Sequence, residues 1–144
     1  MLSAHTWEEV NVIVLELKAI RAGYGATEVL HGVTLAAEAG KITTLIGGNG
    51  AGKTTTLNCI AGVLRLTNGE ILWNGQSLSR MKTTEIVRLG VSLIPEGRHV
   101  FPDMTIAENL EMGAYSRNDA AGIKRDYEWV LDLFPKLKAR LKQT

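Results

Sequence analysis

Short apolar runs separated by glycines recur along the first two thirds of the chain, and longer helical patterns follow them. Residues 12–18 combine β-branched side chains with alternating polarity, which predicts a strand. Further strands are predicted over residues 29–37 and 70–73. The glycine-containing segment 22–26 predicts a turn or loop between the first two of these strands.

Two shorter apolar runs predict buried strands. Residues 41–46 (KITTLI) are bounded by glycines on both sides, and residues 91–94 (VSLI) follow a glycine directly. Helices are predicted between these runs, over residues 53–61 and over residues 83–89, where Gly90 ends the pattern.

The pattern becomes helical after Pro95. Thr105 and Glu108 have the spacing of a capping box, in which each side chain bonds the other residue's backbone at a helix start. A second helix is predicted over residues 119–134, and Pro135 forces a break or a new start. The order of elements therefore indicates an α/β core followed by the beginning of a helical subdomain.

Composition narrows the functional classes. The 144 residues are 45% hydrophobic and 22% charged, as in an ordinary globular protein. A formal net charge of +1 disfavours a surface built to hold nucleic acid. The one cysteine, Cys59, excludes an internal disulfide, and we expect it to be a small buried filler in a cytoplasmic protein. No apolar run is long enough to span a membrane, so we expect any membrane association to require a partner.

The strongest chemical signal is a phosphate-binding loop. Residues 47–54 read Gly-Gly-Asn-Gly-Ala-Gly-Lys-Thr and match the pattern GxxxxGK[ST] between a predicted strand and a predicted helix. Glycines let the backbone curl so that successive N–H groups point at one anion, and the helix start adds the positive end of its dipole. A glycine-rich turn that matches by chance is the alternative, and the flanking elements disfavour it. The sequence therefore predicts nucleotide binding.

Each part of this loop has an expected role. Lys53 can neutralise the β- and γ-phosphates, the Thr54 hydroxyl can ligate Mg²⁺, and Thr55 can reach another phosphate oxygen. The predicted nucleotide-binding residues of the loop are Gly47, Gly48, Asn49, Gly50, Ala51, Gly52, Lys53, Thr54 and Thr55. The loop does not distinguish bases, whereas the upstream Tyr24 could stack on one. A tyrosine that simply packs in a turn is the alternative.

The order of these features resembles the ATP-binding cassette (ABC) family of transport ATPases. In that family an aromatic residue in an early loop stacks on adenine, and the resemblance gives this role to Tyr24 in the segment GYGATEVLHGVTL. It implies an α/β fold, with a P-loop NTPase core, an N-terminal layer of antiparallel strands and the start of a helical subdomain. Residues 1–97 would form the N-terminal part of the ATP-binding core, and residues 98–144 a partial helical subdomain.

Glu96 points to a subgroup of this family. It lies just past the end of a predicted strand, where open α/β sheets bind ligands, so its carboxylate could ligate Mg²⁺ directly or through water. A solvated acid at the start of a loop is the alternative. The family usually has glutamine here, whereas residues 95–110 (PEGRHVFPDMTIAENL) resemble the ATP-binding subunits of branched-chain amino-acid importers, in which the acid is usual. Importers of amides and urea look similar.

The resemblance also implies cofactors and partners. ATP and Mg²⁺ are the expected cofactors, and the partners would be membrane-spanning permease subunits and a second ATP-binding subunit, identical or different. Such a chain would lie in the cytoplasm on the inner face of the cell membrane. Val100, Phe101 and Met104, within residues 98–112, could contact the permease or could instead cover the core of the helical subdomain.

Segments needed for hydrolysis in the family are missing from these residues. ABC ATPases have an apolar strand that ends in Asp-Glu, and a Ser-Gly-Gly-Gln-like segment that reaches the other subunit's γ-phosphate. No Ser-Gly-Gly occurs here, and the nearest match to the Asp-Glu strand, residues 129–133, lies in a helical pattern. We therefore expect no catalytic residue, ATP binding without turnover by this chain alone, a truncated cassette and low stability. A non-catalytic nucleotide-binding fragment is the alternative function.

Overall fold

The computed structural model describes residues 12–97 and 99–144, and the chain divides into two compact units with a boundary between Leu93 and Ile94. The elements of the first unit are β1 (Ile13–Tyr24), β2 (Thr27–Glu38), α1 (Lys53–Ile60), β3 (Asn68–Trp73), β4 (Gln76–Ser77) and α2 (Thr83–Arg88). The elements of the second unit are α3 (Ile106–Met112), α4 (Ala120–Leu133) and α5 (Pro135–Lys138).

Over residues 12–93 the first unit forms a sheet of four antiparallel strands in the order β2-β1-β3-β4. β1 is central, so Leu17 lies opposite Leu35 of β2 on one side and opposite Ile71 of β3 on the other. β1 and β2 form a hairpin in which Tyr24 pairs with Thr27, and the turn contains only two residues. This sheet confirms the predicted antiparallel layer.

A bulge in β1 explains how its buried residues are spaced. Leu17 and Ile20 are both fully buried although they lie three positions apart, which a regular strand with a period of two does not allow. The pairing of β1 with β2 shifts register between these residues, and Ala19 adopts a φ of +46°. Gly69 packs on the bulge so closely that an added Cβ would lie 2.5 Å from the Ala19 carbonyl oxygen. The bulge therefore directs both side chains to the core.

The core of the first unit lies between the sheet and its helices. Among the residues that the structure describes, its buried side chains are those of Leu17, Ile20, Ala22, Leu30, Cys59, Ile71, Leu78 and Ile86. Burial raises the pKa of the Cys59 thiol, which favours the unreactive protonated form. The expectation that Cys59 is a buried filler on α1 is confirmed.

The predicted capping box begins α3. The backbone N–H of Thr105 donates to Glu108 Oε2 at 2.7 Å, and the backbone N–H of Glu108 donates to Thr105 Oγ1 at 3.3 Å. The Thr105 hydroxyl also donates to Glu108 Oε2, and these bonds to the ionised form lower the pKa of Glu108. Two further amides of α3 bond to the end of the chain, because Ile106 N donates to Gln143 O at 2.9 Å and Ala107 N donates to Leu141 O at 3.0 Å.

An arginine joins the start of α4 to its second turn. Arg117 donates from Nη2 to Asp119 Oδ2 at 2.6 Å and from Nη1 to Asp126 Oδ2 at 2.5 Å. The bond from Arg117 to Asp119 lowers the pKa of that carboxyl. Helix α4 then ends before Pro135, which starts α5 as the sequence predicted.

Two expected strands are wrong, and so is the extent of one expected turn. Residues 41–46 and 91–94 were expected as buried strands, but neither is a strand, and Ile42 and Ile46 are 97% and 92% exposed. Within residues 12–97 and 99–144 no strand pairs with either segment, so their backbone has no ladder of hydrogen bonds to hold it extended. The predicted turn over residues 22–26 is shorter, since β1 continues through Tyr24.

Candidate nucleotide-binding site

The phosphate loop leads directly into α1, and Gly52 forms the junction. Gly52 is the N-cap of the helix, with a φ of +86° and a ψ of +10° in the left-handed region. A Cβ at this position would lie 2.7 Å from Leu30 Cδ2 in the core of the sheet. The left-handed backbone therefore favours glycine at this position, and any side chain there would have to displace the buried Leu30 methyl group.

The start of α1 presents unpaired backbone donors. The first helical bond runs from Thr56 N to Gly52 O at 2.8 Å, and the Thr56 hydroxyl donates to the same oxygen at 2.9 Å. Among the residues that the structure describes, no acceptor takes the amides of Lys53, Thr54 or Thr55. These N–H groups at the positive end of the helix dipole form an anion site.

The Lys53 side chain lies back against the loop. Its Nζ donates to the carbonyl oxygens of Gly47 and Gly48, each at 2.7 Å. An ammonium has three N–H donors, so one further donor can meet an anion held by the loop. The loop carbonyls therefore fix the positive charge beside the unpaired amides, which suits the charge of a triphosphate.

The threonines of α1 differ in exposure. Thr54 is exposed and presents its hydroxyl at the helix start, whereas Thr55 and Thr56 are buried. The assignment of Thr54 to Mg²⁺ and of Thr55 to a phosphate oxygen stays a prediction. In residues 12–97 and 99–144 no group of three or more His, Cys, Asp or Glu side chains could hold a metal ion.

Tyr24 is brought to the phosphate-loop helix. It is the last residue of β1, its side chain is 52% exposed, and its hydroxyl accepts a hydrogen bond from Asn58 Nδ2 of α1 at 3.4 Å. The structure thus joins the predicted base-stacking residue to the helix that begins at Lys53. Sequence reasoning missed Asn58, because nothing in its local pattern identifies a partner 34 positions away.

A charged cluster on the same hairpin was also missed. Arg21 donates from Nε to Glu28 Oε1 at 2.8 Å and from Nη2 to Glu28 Oε2 at 2.7 Å, and His31 Nδ1 lies 3.2 Å from the same Oε2. The bonds from Arg21 lower the pKa of Glu28 and raise that of Arg21. Knowledge of the strand register would have identified this pair, because the hairpin places Arg21 opposite His31 and near Glu28.

Glu96 lies in the second unit. It is exposed in a bend next to Gly97, whose φ is +93°. Its role beside the metal stays a prediction. The neighbouring Arg98, which the sequence analysis included in the same motif, lies outside the described residues.

Comparison with known proteins places the chain in a family. The sequence profile described as "ABC transporter" matches residues 30–143. The chain is 37% identical over 130 residues to the high-affinity branched-chain amino acid transport ATP-binding protein BraG of Pseudomonas aeruginosa, a match that covers 90% of this chain and 55% of BraG. It is 31% identical over 130 residues to the probable branched-chain amino acid transport ATP-binding protein LivF of Archaeoglobus fulgidus, with the same coverage of 90% and 55%.

A solved structure described as the ATP-binding subunit of an ABC transporter has the same fold. It is 33% identical and superposes with a TM-score of 0.78, covering 90% of this chain and 53% of the other. The chain thus spans about half the length of the proteins that it matches. The matched profile and the shared fold agree with the phosphate loop and the antiparallel layer, and the chain therefore belongs to the ABC transporter family.

Proposed function

We propose that the first unit binds ATP, with the triphosphate held by the loop 47–54 and the adenine stacked on Tyr24. The observation that carries this proposal is the start of α1, where three unpaired amides and the Lys53 ammonium form a site of donors alone. Such a site suits a polyanion and offers little to a neutral ligand. Tyr24 supports the base assignment, because half of its side chain is exposed beside the same helix.

We propose Mg²⁺ as the companion of ATP, since a divalent cation neutralises charge between adjacent phosphates. The exposed Thr54 hydroxyl is the proposed protein ligand in the first unit. Glu96 is the proposed carboxylate ligand of Mg²⁺, directly or through water. Its position in the motif that resembles branched-chain amino-acid importers supports this assignment.

The proposed biological role is that of an ATP-binding subunit of an importer of branched-chain amino acids. The names of the relatives BraG and LivF support this solute class, and so does glutamate in place of glutamine at position 96. The partners would be membrane-spanning permease subunits and a second ATP-binding subunit, on the cytoplasmic face of the membrane. In the part of the chain that the structure describes, no helix is both long and apolar enough to cross a bilayer.

Within this role two segments of the chain would have different tasks, with a boundary that differs by a few residues from that of the compact units. Residues 1–97 are the proposed N-terminal part of the ATP-binding core, and residues 98–144 the proposed beginning of a helical subdomain. An importer of amides or urea is a second candidate, because the motif over residues 95–110 resembles those proteins as well. A non-catalytic nucleotide-binding role is the third, because these residues contain no Ser-Gly-Gly and no Asp-Glu strand.

Calorimetric titration of the 144-residue chain with MgATP tests the proposal. Lys53→Ala removes the fixed ammonium, and loss of its charged hydrogen bonds should weaken MgATP binding by about 10- to 100-fold. Lys124→Ala, which removes an exposed lysine of α4, is the matched control and should bind as the parent does. The same samples should release phosphate far more slowly than the rate of about 1 per second that is common among enzymes. Equal MgATP affinity in both variants would refute the proposal.

A further inference from the structure

The contact between Asn58 and Tyr24 links the two ends of the proposed nucleotide site. We propose that Asn58 is a positioning residue, which holds the Tyr24 ring in the orientation that stacks on the base and so sets the preference for a base-bearing triphosphate. This inference rests on the proposed function. Its starting observation is the hydrogen bond from Asn58 Nδ2 to Tyr24 Oη at 3.4 Å.

The position of Asn58 on α1 suits this role. Asn58 follows Thr54 by four residues, so both side chains lie on the same face of the helix. Four residues advance about 6 Å along a helix axis. Thr54 lies at the phosphate end of that face, and Asn58 lies one turn further along, where Tyr24 reaches it. One helical face therefore connects the phosphate site to the aromatic ring.

The backbone of Asn58 is held in place. Its carbonyl oxygen accepts the backbone N–H of Val63 at 2.9 Å and that of Leu64 at 3.1 Å, where the chain leaves α1. The residue is half-buried, unlike the exposed Leu57 before it. The side-chain amide that meets Tyr24 therefore projects from a fixed point.

Among the residues that the structure describes, the bond from Asn58 is the one side-chain hydrogen bond of Tyr24. Tyr24 lies at the end of β1 next to the two-residue turn, and its side chain is 52% exposed. The first side-chain torsion sets where the hydroxyl lies, so the bond from Asn58 restricts that torsion directly. The hydroxyl lies on the axis of the second torsion, which the bond restricts only through the preference for a donor in the plane of the ring. A ring already held in one orientation loses less freedom when a base stacks on it. The tether should therefore strengthen binding of a nucleotide and leave binding of its phosphates unchanged.

Two ligands separate these contributions. MgATP carries a base, whereas magnesium tripolyphosphate offers the same kind of phosphate chain without one. Asn58→Ala removes the hydrogen bond and keeps the Tyr24 ring. Tyr24→Phe removes the same bond, keeps an aromatic ring and leaves α1 unchanged. In calorimetric titrations of the 144-residue chain, each variant should bind MgATP about 2- to 10-fold more weakly, which corresponds to the cost of ordering one side chain. Tripolyphosphate affinity should not change, and the double variant should be no weaker than either single variant.

Control variants distinguish positioning from a structural role. Asn58→Asp keeps an acceptor to which the Tyr24 hydroxyl can donate, so it should restore much of the lost MgATP affinity. Leu57→Ala removes an exposed neighbour on α1 and should leave the ratio of the two affinities unchanged. Urea unfolding of each variant reports whether α1 stays folded.

Three results would overturn the inference. Asn58→Ala could weaken both ligands equally, which would show damage to the phosphate loop. It could also weaken neither, which would show that the tether is idle. If the parent chain binds MgATP and magnesium tripolyphosphate with equal affinity, the base contributes nothing to binding. The inference about Asn58 would then fail, whereas the proposed phosphate site would remain supported. Failure of the parent to bind either ligand would refute the proposed function as well.

Discussion

Gly52 combines two constraints that the sequence motif alone does not separate. Its backbone is left-handed, which costs an L-residue about 1–2 kcal/mol. Its Cα also lies so close to the sheet that a side chain would meet Leu30 Cδ2 at 2.7 Å. The first constraint is general to such turns, whereas the second ties the phosphate loop to a core residue of β2.

Gly52→Ala should therefore destabilise the first unit more than an ordinary left-handed glycine does. Gly90→Ala is the matched control, because Gly90 has a φ of +91° and no neighbour within 4 Å of an added Cβ. We expect a loss of about 1–2 kcal/mol for Gly90→Ala. Gly52→Ala should lose about 1–3 kcal/mol more, from overpacking against Leu30. Urea unfolding curves of both variants measure the difference, and equal losses would contradict the contact with Leu30.

Residues of the site were predictable only where their signal is local. The phosphate loop is recognisable because its glycines, Lys53 and Thr54 are adjacent in sequence. Tyr24 was reached through a family resemblance. Asn58 and the Arg21–Glu28 pair depend on which strand and helix surfaces meet, and no periodicity in the chain encodes that.

At the scale of elements, α3 shows how one capping box couples a helix to pH. Donors from Thr105 favour the ionised form of Glu108 and lower its pKa in the folded chain. A group whose folded pKa is lowered stabilises the fold above its unfolded pKa, which is about 4.3 for glutamate. That contribution is lost as the pH falls through the lower, folded pKa.

Thr105→Val should remove the larger part of this contribution, because the hydroxyl donor to Glu108 is lost while the backbone N–H stays. At neutral pH we expect a loss of about 1 kcal/mol, as for other threonine N-caps. The difference in unfolding free energy between parent and variant should shrink as the pH falls below about 4.3. Unfolding monitored by circular dichroism at a series of pH values measures it, with Thr84→Val, an exposed threonine of α2, as control. If the difference in unfolding free energy between parent and variant does not depend on pH, the Thr105 hydroxyl does not stabilise the ionised form of Glu108.

Helices and strands, like the residues of the site, were predictable where the signal lies within one short segment of the sequence. The capping box and the bounds of α4 come from spacings of three and four residues within one segment, and both are confirmed. The strands expected over residues 41–46 and 91–94 are wrong, because a strand exists only with a neighbour and apolar composition does not supply one. The bulge at Ala19 was missed, since the residue that packs closely on it, Gly69, is far away in the sequence.

At the scale of the whole molecule, large apolar side chains are exposed in both units. Ile42 and Ile46 precede the phosphate loop and are 97% and 92% exposed, and Ile94 in the second unit is 91% exposed. Exposed apolar groups of this size favour association. These side chains belong to residues 41–46 and 91–94, which pair with no strand of the described sheet. Their backbone groups can therefore form hydrogen bonds with another molecule, as an open sheet edge does.

We expect the 144-residue chain to self-associate, and the double variant Ile42→Thr/Ile46→Thr to associate less. Burial of two isoleucine side chains contributes about 3–6 kcal/mol of apolar free energy to a contact, and threonine removes most of it. Val63→Thr, another exposed aliphatic position in the same unit, is the control. Light scattering over a concentration series gives the mass of each variant. A monomeric parent chain at every concentration would contradict this expectation.

The starts of α1 and α3 differ in what they leave open to solution. At α3 the amides of Ile106, Ala107 and Glu108 are all taken, the first two by the chain end and the third by Thr105. At α1 the corresponding amides have no acceptor among the residues described. A dissolved inorganic anion, such as sulfate from a buffer, therefore meets available backbone donors at the start of α1 but not at the start of α3. Such an anion would compete with the triphosphate for α1 and would leave the second unit undisturbed.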